Sequence, residues 1–428
     1  VTPLNKPPSI NESWQLLFER HAILKHIAQY GSFEISARQI NTVREARLMA
    51  KFDESHNLPP IFRSHNLSIL PISRGNYSIG PYTTFQALDY ATHTTRLHTI
   101  RIPQLDTLLA HDIHSEAEAL LFLRNSGVWS DICGDSALYT TLQGRRASGQ
   151  FQFTIARTTP PAHATINVDN AQIEIDAGYE TRTQVFLCEA KNRPVSELNI
   201  RQLYYPYRFA QTLTSKPIVP LAVIYSNYTF FITRFTVNDP HDFNSLTVLQ
   251  RYAYTIDPTP LSVADLAQIW HQTQPAPANA FADIPFPQAD NLLLVIDLVK
   301  KIARTPLTTS EITEYLGYDK RQADYYANAG RWLGLLDTHK RITPSGSQFT
   351  RGTPHQQKTD LIRALFATPF FYDMAHILVT QHAVPPKDVI FAQMQSHPQL
   401  GQYNQSTQRR RATTVYSWLR WVIQQLHD

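Results

Sequence analysis

The chain has 428 residues, 43% of them apolar and only 17% charged, with 39 Lys and Arg against 35 Asp and Glu. That length exceeds one ordinary core and predicts two to four domains, while the composition excludes wholesale disorder and no run approaches the roughly eighteen apolar residues of a membrane span. Two cysteines, Cys133 and Cys188, are too few for a disulfide framework or a four-cysteine metal site, and they read as buried thiols of a reducing cytoplasm.

The opening "VTPLNKPPSINESW" has no basic stretch followed by an apolar one, so no export is expected. Residues 11–30 carry Trp14, Leu17, Phe18, Ala22 and Leu24 at helical spacing and are closed by Gly31. A second helix is predicted over residues 42–52, followed by short strands broken by Pro and Gly over 58–80. Residues 1–105 thus form an N-terminal α/β region, with Arg38, Gln39, Arg44 and Arg47 as candidate DNA contacts.

Residues 106–271 form a second α/β domain. An amphipathic helix is predicted over 115–129, with Ser115 as N-cap and Gly127 as stop. Strands follow over 149–158, 171–178, 183–191, 218–226 and 228–237, with a helix over 197–213. Residues 272–290, rich in Pro and Ala, are expected to be a linker. Residues 291–352 give three short helices and then "LLDTHKRITPSG", a predicted two-stranded wing, which together make a winged-helix pattern. Residues 353–428 are a further helical module, compatible with a second winged helix. It ends in a helix with Ala412, Val415, Tyr416, Leu419, Val422 and Ile423 on one face, and Arg409, Thr413, Ser417 and Arg420 on another.

The chemistry concentrates in "IEIDAGYETRTQVFLCEAKNRP", residues 173–194. Period-2 alternation puts Glu174 and Asp176 opposite Ile173 and Ile175, and puts Glu189 and Lys191 on one face. If the two strands are neighbours, Asp176 and Glu189 converge beside Lys191. Close carboxylates raise each other's pKa and are relieved by a cation; oxygen ligands with room for water suit Mg²⁺. With a lysine alongside, the set suits phosphodiester hydrolysis. A Glu-x-Lys is also a common cross-strand ion pair, and that alternative stands beside the catalytic one.

The order Asp176, Glu189, Lys191 resembles the PD-(D/E)xK nuclease signature, and the continuation "KNRPVSELNIRQLYYPYR" resembles the type II restriction endonucleases that carry it. The resemblance covers residues 115–235 and departs from the motif's name at Ile175, where the proline would stand. It implies a restriction-endonuclease-like mixed sheet flanked by helices and hydrolysis of both DNA strands with Mg²⁺, or Mn²⁺ in its place, leaving 5′-phosphates. A cognate DNA methyltransferase becomes a functional partner. By position, Asp176 and Glu189 would hold the metal and Lys191 would serve the attacking water. An upstream helical acid points to Glu116, with Glu118 as the alternative; a first-turn glutamate also favours the helix dipole, which leaves the role of Glu116 open.

DNA contacts are expected from Arg201, Gln202, Tyr205 and Arg208 beside the motif and from Lys320, Arg321, Gln322 and Asp324 at the start of the third helix of the winged-helix pattern. The triplet Arg409, Arg410 and Arg411 opens a helix, where positive charge opposes the dipole, and is expected on phosphate or bases; a solvated basic patch is the alternative. Residues 290–428 hold 16 Lys and Arg against 11 Asp and Glu, the rest 23 against 24, so the basic excess lies where the reading modules are expected. Cutting a duplex needs two active sites or sequential nicking, which brings in a homodimer. A DNA-binding regulator with an inactive nuclease fold and a structure-selective repair nuclease remain as rivals. No P-loop is present, "HDIH" at 111–114 lacks zinc spacing, and "YSIG" at 77–80 stands without a paired motif.

Overall fold

The computed structural model describes residues 8–88, 97–100, 107, 113–134, 137–256, 259, 261–281, 283–398 and 400–426. In "HDIH", His111 and Asp112 lie outside them. The chain is a mixed α/β protein with helices flanking its sheets, and it forms two compact units: residues 1–225 with 230–254, and residues 226–229 with 255–428.

The first unit begins with two helices, Ile10–Arg20 and Ile23–Tyr30, where the sequence predicts one; Ala22 between them adopts left-handed backbone with φ 48°. Trp14 and Phe18 pack edge-on against Phe62, and the Trp14 indole N–H donates to the Met49 carbonyl at 2.8 Å. Of the helix predicted over 42–52 only Ala46–Met49 forms, and a separate short helix, Ala37–Ile40, precedes it. The Asn41 side chain accepts the Ala46 N–H at 2.8 Å, and so offers the backbone an alternative to continued helix. A small antiparallel sheet orders its strands Phe33–Ser36, Asn76–Gly80 and Ser68–Pro71. Between them Pro60–Ser64 is helical rather than extended.

The main sheet has seven strands in the order Leu97–Thr99, Leu246–Thr255, Thr229–Val237, Ile218–Ser226, Val185–Lys191, Gln172–Glu180 and Tyr139–Ala147. Val185–Lys191 is buried throughout; it runs antiparallel to Gln172–Glu180 and parallel to Ile218–Ser226. Parallel neighbours need a crossover, and the helix Arg201–Ala210 supplies it. Leu203 and Tyr204 of that helix share a core with Val185 and Leu187, whereas Trp129 meets Phe186 and Tyr179. Because successive strand side chains alternate, the two sets lie on opposite faces of the sheet.

The edge strand Tyr139–Ala147 pairs with Gln172–Glu180 through register shifts around Leu142. Gly178 sits opposite: a Cβ there would come within 2.6 Å of Leu142 Cβ, so only glycine admits the irregular edge. A separate hairpin of Gln150–Ala156 and His163–Asp169 adds Phe153, Ile155, Ile166 and Val168 to the same core.

The second unit is helical around one core that draws on Leu298, Trp332, Phe366, Phe371 and Trp418. Its turn Asn227–Tyr228 has positive φ at both residues, 47° and 65°, as a two-residue hairpin of this hand requires. Helices Leu292–Arg304, Thr309–Leu316 and Lys320–Trp332 follow as predicted. The two-stranded wing does not: Leu336 and Ile342 form a single antiparallel bridge, and Pro344, capped by Thr343, starts another helix. Nor is 272–290 a free linker. Phe286 is buried, Ala276 donates to the Ala367 carbonyl at 2.7 Å, and Trp418 donates to the Ala289 carbonyl at 2.7 Å. Among the described residues no single helix is long and apolar enough to cross a membrane; one pair, Pro354–Phe366 with Pro369–Gln381, is apolar enough in sum but bends by 114°.

Candidate active site

The ladder between Gln172–Glu180 and Val185–Lys191 ends at Cys188 opposite Ala177. One residue further, Asp176 stands where main-chain pairing stops, and its Oδ2 accepts the Ala190 N–H at 2.8 Å. The adjacent Glu189 and Lys191 are 6% and 8% exposed, and Lys191 Nζ donates to Glu189 Oε1 at 2.7 Å. Gln202, from the crossover helix, donates its amide to the same oxygen. Asp176 Oδ1 and Glu189 Oε2 carry no protein hydrogen bond among the described residues.

Electrostatics follow from this burial. Desolvation, reinforced by the Asp176 charge and opposed by Lys191, pushes the Glu189 carboxyl up to about 8. Burial also raises Asp176, against the Ala190 N–H and the Lys191 charge. Burial works against the Lys191 ammonium, but the charges of Glu189, Asp53 and Glu116 outweigh it and raise its pKa. Lys191 is therefore held charged inside the protein.

Ser115 caps the helix Glu116–Asn125 reciprocally with Glu118, whose carboxylate accepts the Ser115 N–H at 3.0 Å. Glu118 is consumed by the cap. Glu116 is the acid left to the centre; burial raises its carboxyl, and the charges of Lys191 and Asp176 both act on it.

Two residues absent from the sequence reading join the group. Asp53 Oδ1 lies 3.3 Å from Gln202 Nε2, and Lys51 acts on the charges of Asp176 and Glu116. They come from the segment after the N-terminal helices, far away in sequence. The available signal was the charge-dense "KFDES" set between apolar residues, which has no spacing that points to residue 189.

The residues expected on DNA divide by burial. Tyr205 is fully buried and its hydroxyl donates to the Pro71 carbonyl at 3.0 Å, so it is core and not a DNA contact. Arg208 is likewise spent on the carbonyls of Gln152 and Pro240. Arg201 is half-buried and exerts its charge on Tyr77 and Tyr205. Lys320, Arg321 and Gln322 are exposed at the start of a helix capped by Asp319, with Asp324 paired to Lys340 at 2.5 Å. Arg409 and Arg410 are exposed. Arg411 is 4% exposed, lies 3.5 Å over the Tyr403 ring, and keeps Nε and Nη1 buried without acceptors among the described residues, so it too is removed from any groove contact. The triplet is split because three consecutive helical residues cannot share one face.

A cation site can be judged from the donors. Among the described residues, no three His, Cys, Asp or Glu side chains form a ready cage. Asp176 and Glu189 instead offer two carboxylates with unused oxygens, and the Gln202 Oε1 is buried without a donor. Two carboxylates completed by water and substrate phosphate are the usual manner of holding Mg²⁺, so the residues present fit that ion.

Three family models match successive parts of the chain, each described as a domain of unknown function: DUF6996 over residues 11–79, DUF6997 over 80–255 and DUF7226 over 294–427. No curated protein and no solved structure matches. Asp53 falls in the first match, and Glu116, Asp176, Glu189 and Lys191 in the second.

Proposed function

We propose that the chain is a type II restriction endonuclease of the PD-(D/E)xK class: a Mg²⁺-dependent, sequence-specific enzyme that hydrolyses both strands of DNA and leaves 5′-phosphates. The observation that carries the proposal is the meeting of Asp176, Glu189 and Lys191 at the end of one strand pair, with Glu116 in electrostatic reach. A central mixed sheet, with a parallel pair joined by the crossover helix and helices on both faces, supports a restriction-endonuclease-like fold.

Asp176 and Glu189 would hold the cation through Oδ1 and Oε2. When bound, Mg²⁺ supplies neutralisation of the phosphodiester and a lower pKa for water at the site. Lys191 presents an ammonium that donates to Glu189 Oε1 and is kept charged by the surrounding carboxylates, suited to orient the attacking water or to donate to a phosphate oxygen as charge builds there. Gln202 fixes the Glu189 rotamer, and the Ala190 N–H fixes Asp176. The apolar strands beneath hold these groups rigid.

Residues 291–352 are proposed as a winged helix with a minimal wing, reading DNA through Lys320, Arg321 and Gln322; residues 353–428 are a further helical module that presents Arg409 and Arg410. A homodimer would provide the second active site, a cognate methyltransferase would protect the host sequence, and both would act in the cytoplasm.

The test is digestion of plasmid DNA with Mg²⁺ or Mn²⁺, followed by sequencing of the ends. Discrete fragments with 5′-phosphates, lost in Lys191→Ala while DNA binding persists, are expected. Binding without cleavage in either metal would sink the proposal in favour of a regulator, and cutting confined to branched DNA would favour a repair nuclease.

A further inference from the structure

We propose that Asp53, delivered by the N-terminal region, is a positioning residue of the Asp176/Glu189 centre that sets its affinity for a divalent cation. This rests on the cation site of the proposed nuclease but not on DNA cleavage.

The segment carrying Asp53 is fastened to the chain around the catalytic strand. Asn199 donates to the Phe52 carbonyl at 3.1 Å, Glu54 pairs with Arg193, and the Ser55 N–H donates to Glu197. Glu54 is 2% exposed, and a carboxylate so buried is tolerated only in good pairing geometry, which pins the residue next to it. Asp53 is thus held against Gln202, whose amide nitrogen lies between Asp53 Oδ1 at 3.3 Å and Glu189 Oε1.

A neutral amide links the two carboxylates without cancelling their charge. Its orientation is fixed, because the reverse rotamer would set its oxygen against both anions. That leaves Gln202 Oε1 buried with no donor among the described residues. The charges agree. Asp53 acts on Glu116, Glu189 and Lys191, and Asp176 acts on Glu116 and Glu189, so carboxylates outnumber the ammoniums Lys191 and Lys51 at the centre when all are ionised.

Mn²⁺ titration of the full-length protein by calorimetry, without DNA, tests this. Asp53→Asn is expected to bind Mn²⁺ about tenfold more weakly, the scale of outer-sphere partners of metal ligands, while Asp360→Asn in the second unit binds as wild type. Lys51→Met, which removes an exposed competing charge, is expected to bind about threefold more tightly, a direction that misfolding cannot produce. Unchanged affinity in Asp53→Asn, unchanged or weaker affinity in Lys51→Met, or no binding by wild type at millimolar Mn²⁺ overturns the inference. A wild type that binds Mn²⁺ with the expected pattern but leaves DNA intact removes the nuclease reading and keeps this one; cleavage with unaltered Asp53→Asn affinity does the reverse.

Discussion

Asp176 Oδ2 accepts the Ala190 N–H at 2.8 Å, so a side chain continues the strand pairing at the point where the backbone ladder ends. The carboxylate has one oxygen with a structural task and one free for chemistry. Asp176→Asn can keep the first through its amide oxygen and loses the second as an anion. It should unfold at or above the wild-type temperature, because the buried anion is gone, yet cut DNA at least about a hundredfold more slowly, whereas Asp176→Ala should lose activity and be about 1 kcal/mol less stable than Asp176→Asn. Thermal unfolding and cleavage rates of the pair check this; equal stability of the two variants would contradict it.

Glu189 predicts a pH dependence with a definite sign. Its carboxyl ionises near 4.5 in the unfolded chain and near 8 when folded, so between these values the folded state binds more protons. Its contribution to stability is complete below the lower value and disappears as pH rises through the upper one. Glu116 and Asp176, also raised, act in the same direction. The unfolding midpoint of metal-free protein should therefore fall between about pH 5 and pH 8, fall less with Mn²⁺ present, and fall less in Glu189→Gln. Parallel pH profiles for wild type and Glu189→Gln would refute the assignment.

Gly178 lies two residues from Asp176, and its missing side chain accommodates Leu142 on the irregular edge strand. Gly178→Ala must displace one strand or the other, at about 1–3 kcal/mol. Urea unfolding should show the loss, and cleavage should decline further than stability alone explains, because Asp176 is on the displaced strand. Gly178→Ala combined with Leu142→Gly should recover part of both.

The basic residues of the second unit should separate by burial. Lys320→Ala, Arg321→Ala, Arg409→Ala and Arg410→Ala are expected to weaken DNA binding and to lower the salt slope by about 1 for each phosphate that is no longer neutralised. Arg411→Met should leave that slope unchanged and instead alter the unfolding temperature, since its guanidinium stacks on Tyr403 within the core. Anisotropy titrations over a range of KCl concentrations, with thermal melts of the same variants, distinguish the two behaviours.

The strand tips were legible because alternation in "IEID" and "VFLCEAK" is a local code: it places Asp176, Glu189 and Lys191 by face before any partner strand is known. The helices around Leu298, Tyr326 and Leu419 were legible for the same reason. The break at Ala22 was not, since alanine is the best helix former and nothing beside it is a breaker. The edge strand "YTTLQGRRA" shows no apolar alternation because its side chains are mostly exposed. The burial of Tyr205 and Arg411 could not be inferred from their polar ends, because both bury long apolar bodies. Asp53 was invisible for a stronger reason: it meets Gln202 across 149 residues, and no local spacing records such a pairing.

That separation also orders events in time. The segment around Asp53 leaves the ribosome first and must wait until the chain through residue 202 has been made before Asn199, Arg193 and Gln202 can receive it. Closing so long a loop is entropically demanding and slow compared with forming the helices on either side. A nascent chain that ends before residue 202 would therefore carry Asp53 and Glu189 without the Gln202 amide that links them. Assembly of the centre must follow synthesis of the crossover helix, and under the proposed function a chain cut short before that helix stays harmless to the DNA around it.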